Sequence, residues 1–471
     1  MNDPMSPWRS RRRAVLLGLG AATLAACKRK SAPTLAEVWD EEPVVERAEA
    51  IGALAPPWPA PQRGQLDNGL ILFGLHEPGG VGMRVRLLMP TSTGAESPPG
   101  EAVAVAAEHA RFDWQRRLQR FGVTIAVEPG PHRLELVATG TDAHLPTTLA
   151  ALRATLSSST PAGLDGARER LLDNPAARPT LEVAASAAVH SLFGIDEAVD
   201  PKRLAAIPRA ELVAHWQRLV DPRRCVLLVH TSVSAEALKA ELRRLTEGWR
   251  GVDGASSQPM LPQATARLRR ATPPAPGRTR LLADPATPMV FAPGGSGPAT
   301  LVFGRTIPLS GPEDRAMARL AQRVAQEEFD ASLAICGDVA TFLVATNIGR
   351  SDADRDVQRA VGGLATFAVT RQPRQRLFGA IQLWLGARVV EASLAGEDWT
   401  RLFAQAIDLA DTDAAIAGAL AGDAKRQLAI APDALEAWTR KWLQPRTGEP
   451  GWAWAIAGAD PATAKRLERF G

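Results

Sequence analysis

Apolar residues recur along this chain with two periods, and the switching between them lays out the elements. Residues 70–75 are a short apolar run after the turn Asp67-Asn68-Gly69. Met83, Val85, Leu87 and Met89 alternate with Arg84 and Arg86. Both patterns predict strands, the second half-exposed. Over 100–121 the spacing changes: Val103, Ala107, Ala110, Trp114, Leu118 and Phe121 fall at four- and three-residue steps, one stripe of a helix. Residues 123–127 and 133–138 flank Glu128-Pro129-Gly130 and predict a hairpin. Helices are expected over about 145–156, 181–193 and 209–219, then a buried strand at 225–230 and a helix at 235–249.

The same order returns about 210 residues later. A strand at 300–309, a long helix at 312–335, a strand at 339–346, helices up to about 442 and a terminal strand at 452–457 are expected. The repeat is one of element order, without strong local identity. It predicts an α+β chain of two tandem similar lobes, each a mixed sheet backed by helices. Two stiff stretches separate the parts: Ala55-Pro56-Pro57-Trp58-Pro59 cannot lie inside a helix, nor can Pro273-Pro274-Ala275-Pro276. The expected division is 1–26, a tether over 27–63, a first lobe over 64–250, a linker over 251–278 and a second lobe over 279–471.

The first residues carry an address. Arg9, Arg11, Arg12 and Arg13 precede an uncharged apolar stretch, 14–26, too short for a permanent membrane span. It ends in Leu24-Ala25-Ala26-Cys27, which resembles the lipobox of bacterial lipoproteins. That resemblance implies cleavage before Cys27, lipid attachment to its thiol and a membrane tether. By resemblance to the usual lipoprotein sorting rule, Lys28 after the cysteine implies the outer membrane. Arg12-Arg13 leaves Sec and twin-arginine export both open. Loss of 1–26 removes four Arg and one Asp, leaving 51 basic and 50 acidic residues, so the mature chain is close to neutral. With no basic patch interleaved with aromatics, a nucleic-acid partner is not expected. Cys225 and Cys336 could pair in an oxidising compartment, but two thiols make no disulfide framework.

Several landmarks then fall in an order that resembles insulinase/pitrilysin-type zinc peptidases and mitochondrial processing peptidase subunits. Leu66-Asp67-Asn68-Gly69-Leu70 looks like an opening L-x-N-G strand. Residues 102–112, with Glu108, His109 and Phe112, look like the G-L-A-H-x-x-E-H-x-x-F helix. Asp173-Asn174-Pro175, Leu192-Phe193-Gly194, 204–207 and Asp221-Pro222 follow in family order. The resemblance covers roughly residues 64–460 and implies a processing-peptidase-like metallohydrolase fold.

It also implies a lost catalytic site. In active members two histidines four apart bind Zn²⁺, and the glutamate beside the second acts as general base. Here the first histidine position is Val105, which has no lone pair to donate. Glu108 and His109 remain. Counting back from Pro175 puts Ala167 at the position of the distal glutamate ligand, with Glu169 two residues away. In the second lobe, Leu333 and Ala340 stand where active pairs carry a substrate-binding arginine and tyrosine, and the chain contains no tyrosine. No G-x-S-x-G elbow or Walker loop is present.

The expectation is a membrane-anchored, non-catalytic peptidase-like lipoprotein without a cofactor. It would give a peptide-binding surface, or half of a chamber, to an active H-x-x-E-H partner, with Val105, Glu108, His109 and Phe112 facing that chamber. Two alternatives stay open: a working zinc endopeptidase with atypical ligands, and a stand-alone envelope scaffold.

Overall fold

The computed structural model describes residues 61–78, 82–91, 100–129, 133–157, 161–173, 201–251, 263–265, 289–291, 299–336, 339–349, 352–394, 399–444, 452–457 and 463. Cys27, the expected helix at 181–193 and most of the linker lie outside them. The described residues all belong to one unit, Val44–Gly471. Among them, no helix is long and apolar enough to cross a membrane.

The first sheet contains β1 (Gln62–Gln65), β2 (Ile71–His76), β3 (Met83–Pro90), β4 (Thr124–Pro129), β5 (Arg133–Gly140) and β6 (Val226–Thr231), in the order β1-β2-β6-β3-β5-β4. It starts at Gln62, slightly ahead of the expected boundary. The turn into β2 explains the Leu66–Leu70 motif. Gly69 takes φ +86°, open to glycine at little cost, and its N–H donates to Leu66 O. Asn68 accepts from Leu70 N–H at 3.2 Å and donates to Trp249 O at 3.1 Å, fixing the turn to the end of the lobe.

Among the described residues, six helices complete the lobe: α1 (Gly100–Leu118), α2 (Leu145–Ser157), α3 (Pro161–Asp173), α4 (Pro201–Ala206), α5 (Arg209–Leu219) and α6 (Ala235–Thr246). Helix α6 stops short of the expected Trp249. Gly248 turns the chain at φ +80°, and the Trp249 indole is buried, donating to Val220 O at 2.7 Å.

The second sheet holds β7 (Met289–Phe291), β8 (Ala299–Pro308), β9 (Asp330–Cys336), β10 (Val339–Ile348) and β11 (Trp452–Ala457), in the order β7-β11-β8-β10-β9. Without β1, the first sheet has the same plan. β2 and β6 are parallel, as are β7 and β11, and every other neighbour is antiparallel. The two lobes are therefore the duplication that the element order implied. Helices α7 (Pro312–Ala325), α8 (Ala353–Val369), α9 (Arg374–Leu394), α10 (Trp399–Leu409), α11 (Ile416–Ala429) and α12 (Pro432–Trp442) belong to this half.

One expectation fails here. The helix over 312–335 ends at Ala325, and Asp330–Cys336 is strand β9. Leu333 and Ile335 pack against the core while Ser332 lies exposed, a two-residue period that a helical reading overlooked. Gln322 and Gln326 of α7 tie the helix to β9 by donating to Ala331 O at 3.2 and 3.0 Å.

Among the described residues, both faces of the first sheet are packed against helices. One face of that sheet packs on α1, with Val85, Leu87, Leu134 and Leu136 in the core. The other presents Ile71, Phe73, Leu88, Val226 and Leu228 to Leu402, Phe403, Ile407 and Leu420 of α10 and α11. Phe73 and Phe403 rings meet at 4.9 Å. Toward β5 this seam turns ionic. Arg86, almost fully buried, donates to Glu135, and Arg133 bridges Glu135 at 2.5 Å and Asp408 of α10 at 2.6 Å. Burial opposes ionisation of Glu135, but Arg133 and Arg86 outweigh it and hold the carboxyl below its ordinary range.

Gly304 in β8 is required for a different reason from Gly69. It sits opposite Leu343 in β10, and an added Cβ would overlap the Leu343 side chain and lie 2.5 Å from Phe342 O. The carbonyl is ladder backbone and cannot step aside. Gly304→Ala is expected to cost about 2 kcal/mol through overpacking, seen as a lower urea midpoint with an unchanged slope. Parental stability in that variant would show that the strands have room to part.

Candidate functional site

Helix α1 carries the three residues singled out from the sequence. Its alanine-rich run favours helix, Glu101 stands in the first turn, and Arg116 and Arg117 stand in the last, each sign matching the helix dipole. Glu101 is buried and pairs with Arg203 of α4. The helix lies between the sheet and α2, α3 and α5, so most of its circumference is covered.

The metal-motif positions are inside this sandwich. Val105 is fully buried in the first-lobe core, along with Leu164 and Ala167 of α3. His109 is buried, and its ring meets Trp216 of α5 edge-on at 4.8 Å. This corrects the expectation that Val105, Glu108 and His109 line an open wall. Helices α3 and α5 cover them, and of that face only Phe112 is exposed, at 45%.

Glu108 is the most informative residue. It is only 8% exposed, and both its oxygens are engaged. Arg111 donates to Oε2 from Nε at 2.9 Å and from Nη2 at 2.6 Å, while Arg170 of α3 donates from Nε to Oε1 at 2.9 Å. The Arg170 guanidinium also stacks over Phe112 at 3.9 Å. A general base needs a lone pair aimed at water. This carboxylate instead spends its lone pairs on two guanidinium groups.

The other expected positions add no ligand. Ala167 is buried and Glu169 is exposed on α3, away from the core side of that helix. Among the described residues, no group of three His, Cys, Asp or Glu side chains is placed to hold a metal ion. A catalytic zinc needs three protein ligands. Val105, Ala167 and a nearby guanidinium do not fit that requirement. In the second lobe, Leu333 faces Phe342 across β9 and β10, and Ala340 is buried between Ile335 and Ile307. These two positions serve the core.

Arg111, Arg170 and Trp216 were not identified from the sequence as partners of the motif. The three-residue spacing of Glu108 and Arg111 was a usable signal. The contacts of Arg170 and Trp216 depend on how α3 and α5 pack on α1, and no local pattern carries that.

Beside this site runs a groove of about 600 Å³. Arg111, Gln115 and Gln119 form its helical wall, and Val123 to Val127 its strand wall. Among the described residues, β4 is one of the two edge strands of the sheet.

Solved structures share this arrangement. A protease from Helicobacter pylori superposes with a TM-score of 0.62 at 12% identity, covering 84% of this chain and 99% of that one. A protein from Alicyclobacillus acidocaldarius described as an M16-like peptidase gives 0.55 at 14% identity, over 84% and 97%. The fold is that of an M16-like peptidase. The periplasmic protease PqqL from Escherichia coli gives 0.58 at 13% identity, over 88% of this chain but 50% of PqqL. The present chain thus spans one half of that larger protein. No protein-family model matches the sequence, and no curated protein does.

Proposed function

We propose that this chain is a non-catalytic M16-like protein of the cell envelope that binds extended peptide segments along β4 and contributes half of a chamber to an active H-x-x-E-H peptidase. The observation that carries the non-catalytic reading is the engagement of Glu108 by Arg111 and Arg170 beside Val105. Base and ligand are altered together, so restoring one would not restore the centre. The half-chamber reading is supported by the share of PqqL that this chain spans. The envelope location draws on the periplasmic origin of PqqL and on the lipobox-like segment ending at Cys27. An edge strand has unpaired backbone groups, and a flanking groove gives alternate side chains of an added strand somewhere to sit.

The test is the zinc content of the mature protein after dialysis against a weak chelator. Metal-free protein is expected, with no peptide cleavage before or after zinc is added back. About one tightly held zinc per chain, lost in His109→Ala, would overturn the reading in favour of a working peptidase.

A further inference from the structure

At the opposite edge of the first sheet from β4, a cavity of about 320 Å³ lies between β1, β2 and helix α6. It traces to two glycines. Pairing of Gln62 with Gly74 and of Gly64 with Leu72 puts these four residues on one side of the sheet. Ile71 and Phe73 take the other side, in the apolar seam with α10 and α11. The first side faces α6, since a Cβ on Gly74 would lie 3.5 Å from Leu238 Cδ2. A Cβ on Gly64 would come no closer than 3.8 Å to Leu72 Cδ2. Both are ordinary contacts, and neither residue has a positive φ. The backbone therefore requires glycine at neither position. What the two glycines leave is room.

Helix α6 supplies the facing wall. Leu238, Lys239, Leu242 and Arg243 line the cavity at three- and four-residue spacing, an apolar row beside a cationic one. Both leucines are buried, and both cations are exposed. Lys239 pairs with exposed Glu236 at 2.8 Å, a contact of little strength in water. Glu241 accepts from Arg244 instead. Among the described residues, the Arg243 guanidinium makes no hydrogen bond and no ion pair. Arg63 also lines the cavity, but its guanidinium is committed to Asp413 at 2.7 Å. Asp67 is the one acid in the lining, set against Lys239 and Arg243 and bonded to neither.

An apolar trough with an uncommitted cation on its rim suits a ligand that joins an alkyl chain to an anion. A small free anion would leave Leu72, Leu238 and the glycine floor uncovered, and a neutral alkyl chain would leave Arg243 unused. The α6 wall runs from Ala235 to Thr246, about 16 Å at 1.5 Å per residue, long enough for a ten-carbon chain. The volume is at the small end of ligand pockets, which start near 300 Å³. We infer that the β1–α6 cavity binds a single-chain amphiphile with a carboxylate head, its chain over Gly64, Leu72 and Gly74 and its carboxylate on Arg243.

The experiment titrates the mature protein calorimetrically with hexanoate, octanoate and decanoate, and with decanol and decylammonium, all below micelle-forming concentrations. Burial of the added methylenes should tighten binding about tenfold for each two carbons. Decanoate is expected to bind about fivefold more tightly than decanol, and decylammonium more weakly than both. In Arg243→Gln decanoate should fall to the level of decanol, with decanol unchanged. Gly64→Ile places a β-branched side chain in the trough and should remove measurable binding, and Gly74→Ala should weaken it several-fold. Both variants should keep a urea midpoint at or above that of the parent, which separates a filled site from a damaged fold. Undiminished decanoate binding in both filled variants would place the ligand elsewhere and overturn the site. Equal affinity for decanoate, decanol and decylammonium would overturn selection of the anion. No saturable binding of decanoate would overturn the proposal outright.

Discussion

Glu108→Ala is expected to destabilise the protein by about 3 kcal/mol, the reverse of what a catalytic glutamate would show. The carboxylate accepts three charge-assisted hydrogen bonds, two from Arg111 and one from Arg170. A hydrogen bond to a charged group is worth about 1.5–3 kcal/mol where solvent is excluded. Here the discount is large, because the Arg111 side chain is 51% exposed and that of Arg170 33%. Against that, removing the acid leaves Arg170, stacked over Phe112, without its counter-charge. Loss of one partner from a buried pair costs about 3–5 kcal/mol, and partial exposure brings this to the lower end. Glu108→Gln keeps the volume and one acceptor but turns an amide N–H₂ toward a guanidinium, for a loss of about 2 kcal/mol.

In a working H-x-x-E-H centre the same Gln substitution abolishes turnover. It commonly leaves stability unchanged or raised, because catalytic carboxylates are held against their own stability. Urea unfolding therefore separates the two roles without an activity assay. A double-mutant cycle with Arg170→Met should recover a coupling of about 1–2 kcal/mol. Parental stability in Glu108→Ala would mean that the arginines do not hold the carboxylate in solution, and the argument for a lost base would fail.

How far the chain could be read depended on which interactions are local. Strand and helix order was visible because the periods of β3 and α1 are intrinsic to their own segments. The duplication was visible for the same reason, and apart from β1 the sheet orders match strand for strand. The boundary at Ala325 was not. Residues 331–336 are small and apolar enough to suit either period, and pairing of β9 with β10 decides between them. Val105 and Ala167 could be read as lost ligands from position alone. Their surroundings could not, since the pattern of α1 suggested one buried stripe and an opposite free face. Packing of α3 and α5 buries both. The two arginines on Glu108 show the same division: Arg111 lies within reach of local reasoning and Arg170 outside it.

Stability is expected to fall by about 2 kcal/mol between pH 6.5 and pH 5 on account of His215. This residue of α5 is 3% exposed, one position before the Trp216 that meets His109. Among the described residues its Nε2 is buried without a hydrogen-bond partner. Burial disfavours the imidazolium first, and the Arg218 and Arg224 charges disfavour it further, lowering the pKa to about 4. In the unfolded chain the same group titrates near 6.5. Between those values the unfolded state holds a proton that the folded state lacks, so stability rises with pH across the window. The contribution is complete above about pH 6.5 and is lost as pH falls to about 4, roughly 3 kcal/mol in all. The carboxylates with lowered pKa, Asp113, Glu135 and Asp142, lose their contributions at lower pH, below the ordinary carboxylate range. Urea unfolding at half-unit steps from pH 7 to 5 follows the histidine, against a slope of opposite sign from Asp408, whose carboxyl burial holds above its ordinary range. His215→Leu should flatten the profile even if it shifts overall stability, because a leucine binds no proton in either state. An equally steep slope in that variant would assign the proton uptake to another group. For a protein exported as proposed, the consequence is direct: the pH of its surroundings would loosen α5 against the helix that carries Glu108 and His109, and with it one support of the groove.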